Sequence, residues 1–233
     1  MKVVILCGGL GSRLSEETKL KPKPMVKIGK LPILIHIMNI YSKYGYKNFV
    51  LALGYKKKII IDYFNKNNFK DWNIELVDTG KNTLTGNRLL NLKKYLINED
   101  FFFLTYGDGL SNINLKKLLN SHKKSNKIAT LTAVRPPARF GELKINKKFE
   151  VKNFQEKNQI REGWINGGFF IFNKKIFNYL SKKQTMLERE PIKKLTKDNQ
   201  LSAYKHYGFW QCMDTLRDKE LLNKIWKINK KKW

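Results

Sequence analysis

Apolar positions along residues 1–134 fall into two alternating patterns, short continuous runs and longer amphipathic stretches. The runs predict buried strands, and the stretches in which apolar residues recur every three or four positions predict helices. In residues 32–44, for example, Ile33, Ile37, Ile40 and Tyr41 share one helical face. The predicted strands are 2–7, 48–53, 73–77, 101–105 and 128–134, and the predicted helices are 32–44, 56–65, 87–96 and 115–123. This alternation predicts a mainly parallel sheet covered by helices on both faces.

The pattern changes after residue 134, where strands follow one another with little helix between them. The strands predicted there are 141–145, 150–155, 165–172 and 201–206, and the helices are 174–180, 187–197 and 215–227. A length of 233 residues without an internal repeat or a convincing linker indicates one domain, residues 1–233. The sequence therefore predicts a single α/β domain, doubly wound and Rossmann-like, around a mainly parallel mixed sheet.

The formal net charge of +28 suggests binding to a nucleic acid or to an acidic membrane. The composition argues against a nucleic-acid partner, because only seven of the 47 basic residues are arginine, whose planar fork matches phosphates and base edges. The lysines are scattered, and the sequence lacks the interleaved aromatic and arginine residues typical of single-strand binders. We interpret the charge as a lysine bias that attracts anionic substrates, and we expect no nucleic-acid partner.

Hydropathy and cysteine content indicate a cytoplasmic protein. No apolar run reaches the roughly 18 residues that a membrane span needs. The apolar run at 3–7 ends at two glycines and is too short for the core of a signal peptide. Cys7 and Cys212 are far apart and form neither a disulfide framework nor a metal cluster. We therefore expect a cytoplasmic chain without a membrane partner.

The first predicted strand runs directly into a glycine-rich segment, GGLGSR at residues 8–13. Such glycines let backbone N–H groups approach phosphate oxygens, although an isolated segment of this kind is as often an ordinary tight turn. The dinucleotide fingerprint would need glycine where Leu14 stands, and a P-loop would need Gly-Lys-Ser/Thr. Arg13 adds a cation, and KPKPM at 21–25 holds Lys23 between two stiffening prolines. Together the two segments predict a phosphate-binding site.

Further motifs follow in order along nearly the whole chain. They are VDTG (77–80), TGNRL (85–89), TYGDG (105–109), PPARFG (136–141), FQEK (154–157), WINGGFF (164–170), GFW (208–210) and MDTLRD (213–218). Together they resemble sugar-1-phosphate nucleotidylyltransferases, and within that family the glucose-1-phosphate cytidylyltransferases. The resemblance implies conversion of CTP and glucose 1-phosphate to CDP-glucose and pyrophosphate, with Mg²⁺ as cofactor, by a homo-oligomer. It also implies a nucleotide-binding half at about 1–125 and a sugar-phosphate-binding half at about 126–233.

The resemblance assigns Arg13 and Lys23 as catalytic residues, which fits a reaction that needs cations on the triphosphate and its transition state. The side chains of Thr83 and Arg88 and the backbone of residues 85–86 are candidates to read the cytosine, although they fit a helix-capping loop nearly as well. The expected nucleotide-binding residues are Leu6, Cys7, Gly8, Gly9, Leu10, Gly11, Ser12, Arg13, Lys23, Thr83, Thr85, Gly86, Arg88 and Asp108.

The resemblance also assigns Asp108 and Asp214 as ligands of Mg²⁺, which prefers a couple of carboxylates together with phosphate oxygens and water. On the residues alone, Asp108 is equally a turn aspartate beside glycine, and Asp214 is equally a helix N-cap.

The expected sugar-phosphate-binding residues are Gly141, Glu156, Lys157 and Asn166. Lys157 would pair with the phosphate and Glu156 would accept hydrogen bonds from sugar hydroxyls, with a surface ion pair as the alternative. For Asn166 the alternative is a strand-edge asparagine. Members of the family usually have proline where Asn158 stands, and they carry a longer segment where only about a dozen residues separate residue 64 from 77. The short segment leaves the sugar and the number of subunits open.

Three other functions remain open at this stage. One is transfer of a different nucleotide, or transfer to a different phosphorylated acceptor. Another is a metal-dependent glycosyltransferase, which also binds nucleotides on such a fold. Such an enzyme would need an Asp-x-Asp pair, whereas Tyr106 and Gly107 precede Asp108. A nucleic-acid-binding module is suggested by the charge alone.

Overall fold

The central element of the fold is a seven-stranded sheet. The structure is a computed structural model that describes residues 1–136, 142–155, 163–228 and 232–233. The strands are β1 Val3–Leu6, β2 Lys27–Ile28, β3 Leu31–Pro32, β4 Asn48–Leu53, β5 Asn73–Asp78, β6 Phe101–Tyr106, β7 Gly109–Ser111, β8 Ala129–Val134, β9 Glu142–Ile145, β10 Val151–Gln155, β11 Ile165–Asn173, β12 Leu201–His206 and β13 Trp210–Cys212. In the order β12-β8-β11-β6-β1-β4-β5, only β11 runs antiparallel to its neighbours. The predicted mainly parallel mixed sheet is confirmed.

The helices follow most of the predicted segments. They are α1 Ser15–Thr18, α2 Ile33–Ser42, α3 Lys57–Lys66, α4 Thr85–Asn91, α5 Lys93–Leu96, α6 Leu115–Ser125, α7 Glu190–Lys197 and α8 Leu216–Ile228. The single helix predicted over 87–96 was wrong, because Leu92 leaves helical geometry with φ −90° and ψ 1°. The helix predicted over 174–180 is a 3₁₀ helix, Lys174–Tyr179. None of the helices in the described ranges has the length and hydropathy to cross a bilayer.

Two hydrophobic cores cover the two faces of the sheet. Val3 and Ile5 of β1 point into one core, which also contains the apolar face of α2. Val4 and Leu6 point into the other core, where they join leucines of α4, α5 and α7. Because successive residues of a strand face opposite sides, burial on both faces explains why β1 is continuously apolar rather than alternating.

The carboxyl ends of β1, β4, β5 and β6 meet at one edge of the sheet, since these strands are parallel. The glycine-rich segment follows β1 there, and Asp108 follows β6. The short strands β7 and β13 pair antiparallel, with Cys212 opposite Gly109, and so bring Asp214 to the same edge. Neither short strand is predicted from the sequence, because three residues are too few to show a period.

Candidate active site

A cavity of 810 Å³ opens at this edge of the sheet. Its walls come from the loops that follow β1, β5 and β6, from the start of β11 and from the segment around β13. The size is typical of a small-molecule site, and open α/β sheets bind ligands beyond the carboxyl ends of their strands. The antiparallel β11 contributes its first residues because its amino end lies at this edge.

Most of the expected site residues line the cavity. They are Leu6, Cys7, Gly8, Gly9, Leu10, Gly11, Ser12, Arg13, Lys23, Thr83, Thr85, Arg88, Asp108, Asn166 and Asp214. Gly86 does not line it. Instead, a Cβ at Gly86 would come within 2.9 Å of the carbonyl oxygen of Thr185, so this glycine allows close packing of α4. The expected residues Gly141, Glu156 and Lys157 lie outside the described residues.

The loop after β1 has a fixed shape. Gly11 has φ 67° and ψ 29°, a left-handed conformation that favours glycine, and it precedes the 3₁₀ helix Ser12–Leu14. The hydroxyl of Thr18 donates to the carbonyl oxygens of Gly11 at 3.0 Å and Leu14 at 2.9 Å. These contacts hold the loop in place through its carbonyl groups. Gly9 and Leu10 remain exposed and line the cavity.

Lys23 lies between Asp108 and Asp214, the two aspartates that the family resemblance assigns to a metal. Its Nζ donates to Asp108 Oδ2 at 2.7 Å and to Asp214 Oδ1 at 2.6 Å, and the residue is only 9% exposed. Arg13 Nη1 donates to Asp214 Oδ2 at 2.7 Å, with a side chain that is 74% exposed. Pro22 and Pro24 flank Lys23, which begins the 3₁₀ helix Lys23–Met25. The stiff segment therefore fixes one ammonium against two carboxylates.

These contacts favour the charged forms of Lys23 and Asp214. Burial alone would lower the pKa of Lys23, but Asp108 and Asp214 outweigh burial and raise that pKa. Burial alone would raise the pKa of Asp214, but the hydrogen bond and charge of Lys23, together with Arg13, lower it below its usual value.

The N-cap alternative for Asp214 is not what the structure shows. Thr215 caps α8, because its Oγ1 accepts from the backbone N–H of Asp218 at 3.3 Å and Asp218 Oδ2 accepts from the N–H of Thr215 at 2.9 Å. This reciprocal pair is a capping box. Asp218 Oδ2 also accepts from the backbone N–H of Asp214 at 3.0 Å. The carboxylate of Asp214 is therefore free of the cap and is directed at Lys23 and Arg13.

The carboxylates of Asp108 and Asp214 form a pair that fits Mg²⁺. Both place an oxygen within 2.7 Å of the same Lys23 nitrogen, so they converge on one cation. Within the described ranges no group of three or more acidic, histidine or cysteine side chains could hold a metal. Two carboxylates suffice for Mg²⁺, which takes its remaining ligands from substrate phosphates and water.

A family model described as Nucleotidyl transferase matches residues 2–218. This chain belongs to that family. The glucose-1-phosphate cytidylyltransferase of Salmonella typhimurium is 43% identical over 254 aligned positions, which cover 100% of this chain and 98% of the relative. A probable glucose-1-phosphate cytidylyltransferase of Bacillus subtilis is also 43% identical, with 100% and 99% covered. The crystal structure of HddC from Yersinia pseudotuberculosis complexed with GMP-PN is 27% identical, covers 96% of this chain and 98% of that chain, and has a TM-score of 0.75.

The alignments with both curated relatives run over 254 positions, whereas this nucleotidyl transferase has 233 residues. The relatives therefore carry sequence that this chain lacks. That the difference lies between residues 64 and 77 stays a prediction.

The expected base-reading residues of this nucleotidyl transferase differ in what they contact. Thr85 Oγ1 donates to Glu188 Oε2 at 2.9 Å and accepts from the backbone N–H of Leu187 at 2.8 Å. Thr83 lies on the cavity wall beside Gly80. Arg88 is only 3% exposed and directs its guanidinium at the chain's own main-chain oxygens.

Three cavity residues of this nucleotidyl transferase are absent from the site predicted from the sequence. Tyr106 donates from its hydroxyl to Glu188 Oε1 across the cavity wall. Trp210 Nε1 donates to the carbonyl oxygen of Gly167 at 2.7 Å, which ties β13 to the start of β11. Tyr106 lies in the motif TYGDG and Trp210 in the motif GFW, so the sequence offered a signal for both residues. Glu188 stands in none, and only the fold brings it to the site.

Proposed function

We propose that this nucleotidyl transferase joins CTP and glucose 1-phosphate to give CDP-glucose and pyrophosphate. The observation that carries the proposal is 43% identity across 100% of the chain to proteins named glucose-1-phosphate cytidylyltransferase. The cavity supports it, because a glycine loop, two cationic side chains and two convergent carboxylates meet there. This set suits the transfer of a nucleotidyl group between two anions.

In this reaction a phosphate oxygen of the sugar phosphate attacks the α-phosphorus of CTP, and the bond to the β-phosphate breaks as pyrophosphate leaves. Such a step needs little covalent help and depends on positioned positive charge. Arg13 and Lys23 supply that charge, with Lys23 as the main electrostatic catalyst. The glycine loop, residues 8–11, binds the phosphates through backbone N–H groups. Asp108 and Asp214 would hold Mg²⁺, which would supply positive charge against the phosphates.

The remaining expected residues divide between the two substrates. Asn166 contacts the sugar from the start of β11 on the cavity wall, and its Oδ1 accepts from the backbone N–H of Gly168 at 2.9 Å. Glu156, Lys157 and Gly141 complete the sugar-phosphate side of this proposal. The proposal also keeps the nucleotide-binding half at about 1–125 and the other half at about 126–233.

We further propose a cytoplasmic homo-oligomer with neither nucleic acid nor membrane as a partner. Lysine rather than arginine dominates the positive charge, which supports attraction of small anionic substrates over reading of nucleic acid.

Pyrophosphate release tests the function directly. The purified chain is assayed with CTP, UTP, dTTP and GTP, each against glucose 1-phosphate and a panel of other sugar 1-phosphates, with and without Mg²⁺. CTP with glucose 1-phosphate should give the highest kcat/KM, and only in the presence of the metal. A higher kcat/KM for UTP or dTTP with glucose 1-phosphate would contradict the nucleotide, and a better sugar phosphate would contradict the acceptor.

A further inference from the structure

We propose that Arg88 is a positioning residue that joins three nucleotide-binding loops and places a buried positive charge beneath them, rather than a residue that reads the base. The inference deepens the proposed function and rests on it, because it takes these loops to bind the nucleotide.

Arg88 of α4 reaches the carboxyl ends of three neighbouring strands. Its Nη2 donates to the carbonyl oxygen of Gly8, after β1, at 2.8 Å. Its Nη1 lies 3.1 Å from the carbonyl oxygen of Leu53 at the end of β4. Nη1 also donates to Thr79 Oγ1 at 2.7 Å and to the carbonyl oxygen of Gly80 at 2.8 Å, both after β5. One side chain thus ties together the loops that follow β1, β4 and β5.

Two glycines leave the space that this guanidinium fills. A Cβ at Gly8 would lie 2.1 Å from Arg88 Nη1, and a Cβ at Gly54 would lie 2.5 Å from the same atom. Neither glycine has a positive φ, so the backbone conformation does not require glycine there. Glycine is required because the guanidinium of Arg88 lies so close to the backbone. Gly8 therefore serves the arginine as well as the phosphate loop.

The hydrogen bonds leave Arg88 unsuited to base reading. Its terminal nitrogens already donate to four main-chain carbonyls and one hydroxyl, and the residue is only 3% exposed. Lysine could not make all of these contacts, because its three donors sit on one nitrogen, whereas the planar fork spreads five donors over separate nitrogens.

The charge of Arg88 adds to the field at the phosphate loop. Among the described residues, its hydrogen-bond acceptors include no carboxylate. Burial lowers the pKa of Arg88, but a guanidinium stays protonated in proteins. A partly desolvated positive charge in contact with Gly8 favours an anion on the other side of the loop, since the interior screens it less than water does.

Steady-state kinetics of Arg88→Lys with each NTP separates positioning from base reading. If Arg88 positions the loops, the KM for every NTP should rise by the same factor, about 10- to 100-fold for the loss of buried charged hydrogen bonds. The KM for the sugar phosphate should change much less. Arg217→Lys, a matched change at an exposed position of α8, should leave all constants unchanged.

Two outcomes would overturn the proposal. One is an unchanged KM for all NTPs in Arg88→Lys, and the other is a loss of discrimination between CTP and other NTPs without a common loss of affinity. If Arg88→Lys does not fold, Thr79→Val provides the milder test, because it removes one acceptor of the guanidinium and should raise every NTP's KM in parallel. Equal KM values for Thr79→Val and wild type would then refute it. A failure of the CTP assignment would appear instead in the wild type's own preference among NTPs.

Discussion

Replacing Lys23 by methionine should impair both activity and stability. Methionine keeps much of the aliphatic length of the side chain but removes the ammonium that bridges Asp108 and Asp214 at 2.7 and 2.6 Å. The two carboxylates would then face each other, and the cation that still contacts one of them among the described residues would be Arg13, whose side chain is 74% exposed. Water and salt screen the charge of such a residue strongly.

The magnitude follows from the burial of Lys23, whose residue is 9% exposed. Removing one partner of a buried ion pair costs about 3–5 kcal/mol, because it leaves an uncompensated charge. For a domain of this size each kcal/mol shifts Tm by about 2–4 °C, so Tm should fall by roughly 10 °C. Loss of a cation that acts on the transition state should lower kcat by about 10²–10³-fold.

Differential scanning fluorimetry and pyrophosphate release measure the two effects. Added Mg²⁺ should recover part of the lost Tm in Lys23→Met, since a divalent cation takes over between the carboxylates. The control is Lys174→Met, which removes an exposed ion pair with Asp100 at 3.3 Å and should cost about 1 kcal/mol or less. A wild-type kcat in Lys23→Met would remove Lys23 from catalysis. A wild-type Tm would show that the buried ion pairs do not stabilise the protein.

Three further predictions follow from the same site. On acidification, the unfolding free energy of the wild type should fall as the pH drops below about 4 and through the lowered folded pKa of Asp214. In Lys23→Met the pKa of Asp214 rises, so the difference in Tm between the variant and the wild type should shrink from pH 7 towards pH 4. A difference in Tm that stays constant with pH would argue against the assigned charges. Asp108→Asn should raise the Mg²⁺ concentration that gives half-maximal pyrophosphate release. An unchanged half-maximal concentration would exclude Asp108 as a ligand. Gly8→Ala should lower Tm and raise the KM for the nucleotide, while Gly9→Ala, whose Cβ would meet nothing within 4 Å, should leave Tm unchanged.

The strands and the turn of the glycine loop could be predicted because their signals are local. Asn48–Leu53 and Leu201–His206 have the predicted bounds, since each is a run of apolar or alternating residues between polar segments. The glycine loop is also local, because it depends on a strand and a turn that adjoin in sequence.

The direction of individual side chains could not be predicted in the same way. Arg88 is polar and lies in a polar motif, which favoured a contact with substrate, but it is almost fully buried against carbonyl groups. Glu188 reaches Tyr106 and Thr85 across the cavity although no periodicity marks it. Both sets of contacts arise from the packing of segments that are distant in sequence, and a local sequence pattern does not predict such packing.

The pairing of β7 with β13 explains how two aspartates so far apart in sequence form one cation site. Gly109 lies opposite Cys212, and the backbone N–H of Met213 donates to the carbonyl oxygen of Asp108 at 2.9 Å. Each aspartate therefore lies within two residues of the paired strands β7 and β13. The pairing of the backbone thus fixes the distance between the two aspartates. Since the capping box of α8 also fixes the backbone of Asp214, the site has two carboxylates of defined geometry and one ammonium between them. A cation of higher charge can bind there only by changing the contacts of Lys23, which links metal binding to the position of the residue proposed to act on the triphosphate.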